Sequence, residues 1–344
     1  MTRMLAVLLA LGFVAGCDGS TGKDNPFEAD PEAEAPDDTP TDPTDPADPA
    51  LPVDPDAPTD APTVPEDLFI NTTNVTIAPD GNTISVTTKG IDGTPESVTY
   101  ARNNTLKIST TADGDGIDYV AYTKQEDALD RLFIAIGGDS ADGSVTAFTV
   151  GGGPQFNEVQ QGGFYRQNGT FTRPAVGDGP GAGQVSYAGD YAAVTNIGQF
   201  GGPALLPIPP GTDEDIQPLE AARIVGSILL NANFVDNQVN GSVYARTLLL
   251  PDGTEEDLNS LALLITDIND EGAFLGEVEI TNEVGQTIGN YGGTFGGTNA
   301  SAVGGLVSID RYDETREGEL ENGVFVLTQC GQPDDAPICD AVAP

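Results

Sequence analysis

Three cysteines carry the chain's readiest chemistry, and their positions separate two uses of a thiol. Cys17 closes the run Val14-Ala15-Gly16-Cys17, in which small residues would admit a peptidase and the thiol would take a diacylglycerol. This spacing resembles a bacterial lipobox. Cys330 and Cys339 stand near the C-terminus with eight residues between them. In an exported chain, such a pair reads as a disulfide. Closing so small a ring would stabilise the fold by about 2–3 kcal/mol. The spacing is not CxxC, and no partner ligand accompanies it, which weighs against a redox or metal pair.

Composition removes other chemistries. The chain has no histidine, so neither a Ser-His-Asp or Cys-His nucleophile system nor a histidine-bearing zinc site can form. With 13 Lys/Arg against 54 Asp/Glu, the formal charge of −41 suits no nucleic acid, whose phosphates need Lys and Arg. Asp113-Gly114-Asp115-Gly116-Ile117-Asp118 is like a fragment of a calcium loop but lacks the spaced ligands and closing Glu of an EF-hand. A polar turn is the better reading, as it is for Asp267, Asn269, Asp270 and Glu271. Two carboxylates suffice for glycoside hydrolysis, yet among 54 acidic residues a pair at catalytic distance is uninformative. There is no Gly-x-Ser-x-Gly elbow and no Gly-Lys-Ser/Thr phosphate loop. Gly151-Gly152-Gly153-Pro154 is followed by neither a helix nor a lysine. For Phe164, Tyr165 and Phe171, core or hairpin packing is the favoured role over a recognition patch. The expectation is a non-enzymatic protein with no metal and no cofactor.

The elements around these residues fall into blocks. Residues 1–17 have Arg3 ahead of the apolar stretch 4–14, too short to span a bilayer, so they read as a cleaved lipoprotein signal. Residues 18–67 hold 16 Asp/Glu, one Lys and 12 Pro, with the loose repeat Thr41-Asp42-Pro43, Thr44-Asp45-Pro46, Ala47-Asp48-Pro49. Low hydrophobicity with dense charge and proline predicts a disordered tether. Setting aside Arg3 and the tether's −15 leaves −27 of the −41 on residues 68–344.

From residue 68 onward the pattern is β. Runs rich in Val, Ile, Thr, Tyr and Phe alternate with Gly, Asp, Asn and Pro at 83–88, 97–101, 105–110, 118–123, 132–136 and 145–150. A hairpin turn is predicted at 79–82, and a helix is possible only in the short window 124–131. A Gly/Pro-rich joint covers 174–183. Beyond it, strands are predicted at 188–195, 224–234, 239–248, 258–266, 273–281, 291–295 and 304–310. In the last but two, Phe274, Gly276, Val278 and Ile280 alternate with Glu277 and Glu279, the period of a half-buried strand.

Three stretches carry a family resemblance. They are Asn231-Ala232-Asn233-Phe234-Val235-Asp236-Asn237-Gln238-Val239-Asn240-Gly241, Asp270-Glu271-Gly272-Ala273-Phe274-Leu275-Gly276, and Gly292-Gly293-Thr294-Phe295-Gly296-Gly297-Thr298-Asn299-Ala300-Ser301-Ala302-Val303-Gly304-Gly305. Together they resemble the β-barrel domain of the transferrin-binding protein B family of surface lipoproteins. The last stretch is similar to that family's closing signature, carried by Gly293, Phe295, Gly297, Asn299, Gly304 and Gly305. Phe295 would plug the barrel interior. Gly296 and Gly297 would turn the chain at positive φ, and Gly304 and Gly305 would admit a close neighbour or a barrel corner.

The resemblance implies an all-β chain. An antiparallel barrel of about eight strands over 184–312 follows a β-rich, handle-like domain over 68–183, and 313–344 form a tail with the disulfide. It further implies a lipid-anchored outer-membrane protein, held through Cys17 and exposed at the cell surface. Such a protein would capture an extracellular protein or solute, with an outer-membrane transporter as a candidate partner. The competing expectation is a structural or adhesive envelope lipoprotein with no captured ligand.

Overall fold

The computed structural model describes residues 68, 72–89, 94–106, 108, 119–155, 161–175, 183–312, 316 and 318–342. Cys17, the 18–67 segment and the 113–118 turn lie outside the described residues.

Two antiparallel sheets account for the described chain. The first is a seven-stranded meander: β1 (Thr72–Ile77), β2 (Thr83–Lys89), β3 (Pro95–Arg102), β4 (Val120–Lys124), β5 (Phe133–Asp139), β6 (Val145–Gly152) and β7 (Gln161–Gln167). Its edge strands β1 and β7 come back beside each other, so the sheet is nearly closed. Its inner face buries Val75, Ile84, Val86, Tyr100, Tyr122, Phe148, Val150 and Phe164.

The second sheet closes completely. It comprises β8 (Gln184–Gln199), β9 (Glu220–Asn233), β10 (Gln238–Leu249), β12 (Leu261–Asp267), β13 (Ala273–Ile280), β14 (Thr287–Gly296), β15 (Ala302–Asp310) and β16 (Leu320–Thr328). The β9–β10 ladder joins the ends of the order and makes an eight-stranded antiparallel barrel. Short β11 (Glu255–Leu258) hangs on β10 outside this circuit.

The sheets share a core. Ala121, Ile134, Ile136, Ala147 and Tyr165 of the first pack on Ala192, Val194, Leu306, Val324 and Val326 of the barrel wall. All eight residues of β6 are therefore buried, because both its faces are covered. The barrel's other face holds a second core of Tyr187, Ile224, Ile228, Leu230, Val243, Val278, Tyr291, Phe295 and Phe325. An eight-stranded barrel leaves just enough interior for side chains to fill.

The structure departs from the sequence reading at several elements. Barrel strand β16 lies beyond residue 312, inside the stretch read as tail. Its run from Gly323 to Thr328 is buried throughout. A strand covered on both faces has no period-two signal to read. Strand β7 carries two glycines and only one aromatic pair, which hid it. Its Phe164 and Tyr165 point to opposite faces, into the inner core of the first sheet and into the shared core. The predicted strand 105–110 opens instead in a turn, where Asn103 Oδ1 accepts from Thr105 N at 3.0 Å. No helix forms at 124–131, where the chain leaves β4 through bends and turns. Glu279, read as outward-facing, is buried and accepts from the Gly285 amide at 3.0 Å.

Candidate functional site

Residues 171–173 and the turns they touch close one end of the barrel. There the β9–β10, β12–β13 and β14–β15 turns gather. Phe171 pairs with Gly297 as an isolated bridge, and Thr172 N donates to the Gly297 carbonyl at 3.1 Å. The Thr172 carbonyl accepts from Ala300 N at 2.9 Å, and its hydroxyl accepts from Asn299 N at 2.8 Å. Arg173 reaches on to Asn237 Oδ1 and the Asn269 carbonyl. The acidic cluster at 267–271 is thus a hydrogen-bonded turn capped by an arginine. Among the described residues, no group of three or more Cys, Asp or Glu side chains converges to hold a metal ion.

Behind this cap, five aromatic rings fill the lumen. Phe295 has ring centroids of Phe234 at 5.1 Å, Phe274 at 5.3 Å, Tyr187 at 5.4 Å and Phe171 at 6.4 Å. The Tyr187 hydroxyl donates to the Ala300 carbonyl at 2.6 Å, so burial of that ring leaves no phenol unpaired. Burial pushes its pKa well up.

Further along the lumen sits a buried ion pair. Arg246 bonds Glu321 through Nη2 and the Asn259 carbonyl through Nη1 at 2.5 Å. Tyr191 donates to Glu321 Oε1 at 2.6 Å, and the guanidinium lies over the Tyr312 ring at 5.5 Å. A bulge in β10 makes this possible. Ala245 takes φ 49, and the register shifts between Tyr244 and Thr247. The extra residue reverses the in–out alternation, so Arg246 points inward where Ala245 otherwise would.

The signature residues fall on both faces of the wall. A methyl at Gly305 would lie 2.2 Å from the Gly292 carbonyl oxygen, and one at Gly293 would lie 2.5 Å from that of Gly304. At Gly304 and Gly296 the obstacle is Val145 of the first sheet, at 2.4 and 2.6 Å. Gly297 takes φ 74, and Asn299 and Ala300 follow at 57 and 54. Gly296 was expected to share that positive φ and does not. It ends β14, and close approach of Val145 and Ser144 constrains it. Beside Gly297, Asp142 accepts from Ser301 at 2.5 Å and from the Ser140 and Ser144 hydroxyls at 2.7 Å each. Burial alone would raise the Asp142 pKa, but these hydrogen bonds outweigh it and hold the group at about 2.

Cys330 and Cys339 form a disulfide, and the Cys330 amide donates to the Ser186 carbonyl at 2.9 Å. It ties the last segment, with its short helix α1 (Cys339–Val342), to the start of β8. Arg246, Glu321 and Tyr119 are the important polar residues that sequence reasoning missed. Their local sequence does not mark them: Arg246 shares β10 with Asn240, Ser242 and Thr247, Glu321 stands beside Asn322, and Tyr119 lies just ahead of β4.

With the lumen filled, open space lies on the outside. One hollow of about 490 Å³ lies over the cross-strand rows Ser186–Asn231–Asn240 and Gln184–Asn233–Gln238, with no charged side chain lining it. Another, of about 410 Å³, opens in the first sheet beside β3.

Fold and site together define an all-β scaffold, a barrel whose inward aromatic and aliphatic side chains pack on one another beside a nearly closed sheet. No protein-family model matches the chain, and no curated protein does. Among solved structures, it is similar to a transferrin-binding protein B vaccine antigen from Haemophilus parasuis Hp5, at 12% identity and a TM-score of 0.31. That match covers 74% of this chain but only 52% of the other, so the chain spans about half of that protein's length. It is also similar to a transferrin-binding protein B from Actinobacillus pleuropneumoniae H49, at 13% identity and a TM-score of 0.33, covering 75% of this chain and 98% of that one. A structure described as a surface lipoprotein matches at 13% identity and a TM-score of 0.31, with 75% and 96% covered. The first two belong to the family that residues 231–241, 270–276 and 292–305 resemble. At TM-scores near 0.3 the likeness gives no information about a ligand.

Proposed function

We propose that this chain is a lipid-anchored protein of the bacterial cell surface that binds a partner without transforming it. The observation that carries the binding half is the filled barrel. The aromatic plug at one end and the Arg246–Glu321 pair beyond it leave the barrel as a rigid support. A container for a small ligand needs an apolar cavity with a few convergent polar groups, and side chains occupy the place where one would lie. On this reading the partner is met on external surfaces, and we take it to be a protein. The anchoring half rests on Val14-Ala15-Gly16-Cys17 and on the acidic, proline-rich segment that follows. The two acyl chains of a diacylglycerol on Cys17 would hold the protein stably, because anchoring takes more than a single chain.

Two measurements on the full chain test this, one in its own cells and one by capture. Changing Cys17→Ala should move the protein from the membrane fraction to the soluble one. Continued pelleting with membranes would refute the anchor. Immobilised full chain, mixed with detergent-solubilised envelope and spent medium, should retain one protein reproducibly. A well-folded chain that retains nothing specific would favour a purely structural or adhesive role.

A further inference from the structure

The first sheet has a split in it. β3 and β4 are paired only at Ala101↔Thr123 and Arg102↔Tyr122. Past that point β4 ends at Lys124 and the chain turns away through 125–132. Among the described residues no strand pairs with β3 between Pro95 and Tyr100 on this side.

The direction of its free backbone groups follows from the ladder. Arg102 N donates to the Asn82 carbonyl, on the β2 side, and Asn103 N donates to the Ala121 carbonyl, on the β4 side. Alternation then points the backbone N–H and C=O of Glu96, Val98 and Tyr100 at β2. Those of Ser97 and Thr99 point into the split. Their side chains are exposed, whereas Val98 and Tyr100 face inward.

The hollow of about 410 Å³ opens beside this edge. Val86, Val98, Tyr100 and Phe133 form its apolar floor, with the Tyr100 and Phe133 rings edge to face at 6.5 Å. The rim carries Glu96, Glu126 and Asp130. Its two cations are engaged: Lys124 pairs with Glu126 at 2.9 Å, and Arg131 donates to the Gln155 carbonyl at 2.8 Å.

We propose that this split is a strand-addition site for an extended peptide segment of a partner protein, with an apolar side chain entering the hollow and Lys or Arg flanking it. An extended backbone matches a row of strand-edge N–H and C=O groups at the spacing of a ladder. The floor selects the inward side chain. Glu96 and Asp130 on the rim, with the chain's formal charge of −41, select basic neighbours. The proposal deepens the binding reading above and rests on it.

Thr99→Pro isolates the site. Proline removes an N–H that makes no ladder bond within the fold, and an edge strand accepts it there. The variant should melt with the wild type, whereas Val98→Pro, which removes an N–H aimed at β2, should melt lower. A library of random decapeptides displayed on phage is panned on the full chain. Selected sequences should alternate apolar residues with Lys or Arg. They should bind wild type about tenfold better than Thr99→Pro, as the loss of one or two net hydrogen bonds implies. In amide hydrogen exchange, Ser97 and Thr99 should be fast in the free chain and slow with a selected peptide, while Val98 and Tyr100 stay slow throughout. No selected peptide, equal binding to Thr99→Pro, or unchanged exchange at Ser97 and Thr99 would overturn the site. So would a self-association of the chain that Thr99→Pro abolishes, since the edge would then serve a second copy. A partner captured equally by wild type and Thr99→Pro would overturn the site while leaving the binding reading in place.

Discussion

At the residue scale, the barrel interior sets an uncommon balance. Arg246 and Glu321 are both fully buried, each with further hydrogen-bond partners. Removing one partner of such a pair strands the other's charge, which costs about 3–5 kcal/mol, whereas replacing both with apolar residues can be neutral. Arg246→Ala should accordingly lower stability to urea by that amount. Arg246→Met combined with Glu321→Leu should recover most of it. A double variant no more stable than Arg246→Ala would contradict a stranded charge as the source of the loss. Asp142 makes a pH prediction. Its folded-state pKa of about 2 lies below the ordinary 3.8, so the folded state binds its proton less readily than the unfolded one. Its contribution is therefore complete above about pH 4 and is lost as pH falls toward 2. Asp142→Asn should flatten that part of the stability–pH curve. A curve of unchanged slope would remove Asp142 from the account.

At the element scale, the two sheets are joined through a barrel seam. The β8–β16 ladder runs from Thr195↔Glu321 to Ala192↔Val324 and stops. Where it would continue, the Tyr119 hydroxyl enters. It donates to the Asp190 carbonyl at 2.7 Å and accepts from Val326 N at 2.9 Å. A side chain from just ahead of β4 thus replaces a ladder bond of the barrel. Tyr119→Phe strands the buried Val326 N–H and should cost about 1–3 kcal/mol. A loss below half a kcal/mol in denaturant melts would mean that the seam closes without it. The disulfide closes a small ring between Cys330 and Cys339. Reduction should lower stability by about 2–3 kcal/mol without disturbing the barrel's far-ultraviolet signal. Collapse of that signal would make the bridge a requirement for folding.

What the sequence made legible follows the same physics. β13, with Phe274 and Val278 inward and Leu275 and Glu277 outward, announces itself by period two. The hairpin of β9 and β10 is legible from its polar turn. β16 is not, because a strand between lumen and companion sheet is apolar on both faces. The Gly297 turn is legible from composition alone, whereas the constraint on Gly304 and Gly296 depends on Val145, more than a hundred residues earlier. Arg246 reaches the lumen through a bulge at Ala245 that no local pattern marks. The surface hollows are still less visible, since each is a relation between strands rather than a run of residues.

At the scale of the whole molecule, charge and shape point the same way. Residues 68–344 carry −27, and Arg223 and Arg246, two of the few cations, are buried. The exterior is acidic over a solid support, which favours a neutral or basic partner and makes encounter faster at low salt. The most direct test of external binding is site-specific photo-cross-linking on intact cells. A photoreactive residue is placed in turn at Ser97 on the open edge of β3, at Asn231 beside the barrel-side hollow, and at Val284 on a far loop, all exposed positions. The account predicts an adduct of a single partner protein from at least one of these positions, abolished in the Cys17→Ala background. Absence of any adduct from all of them, in cells where added protease cleaves the chain, would contradict it.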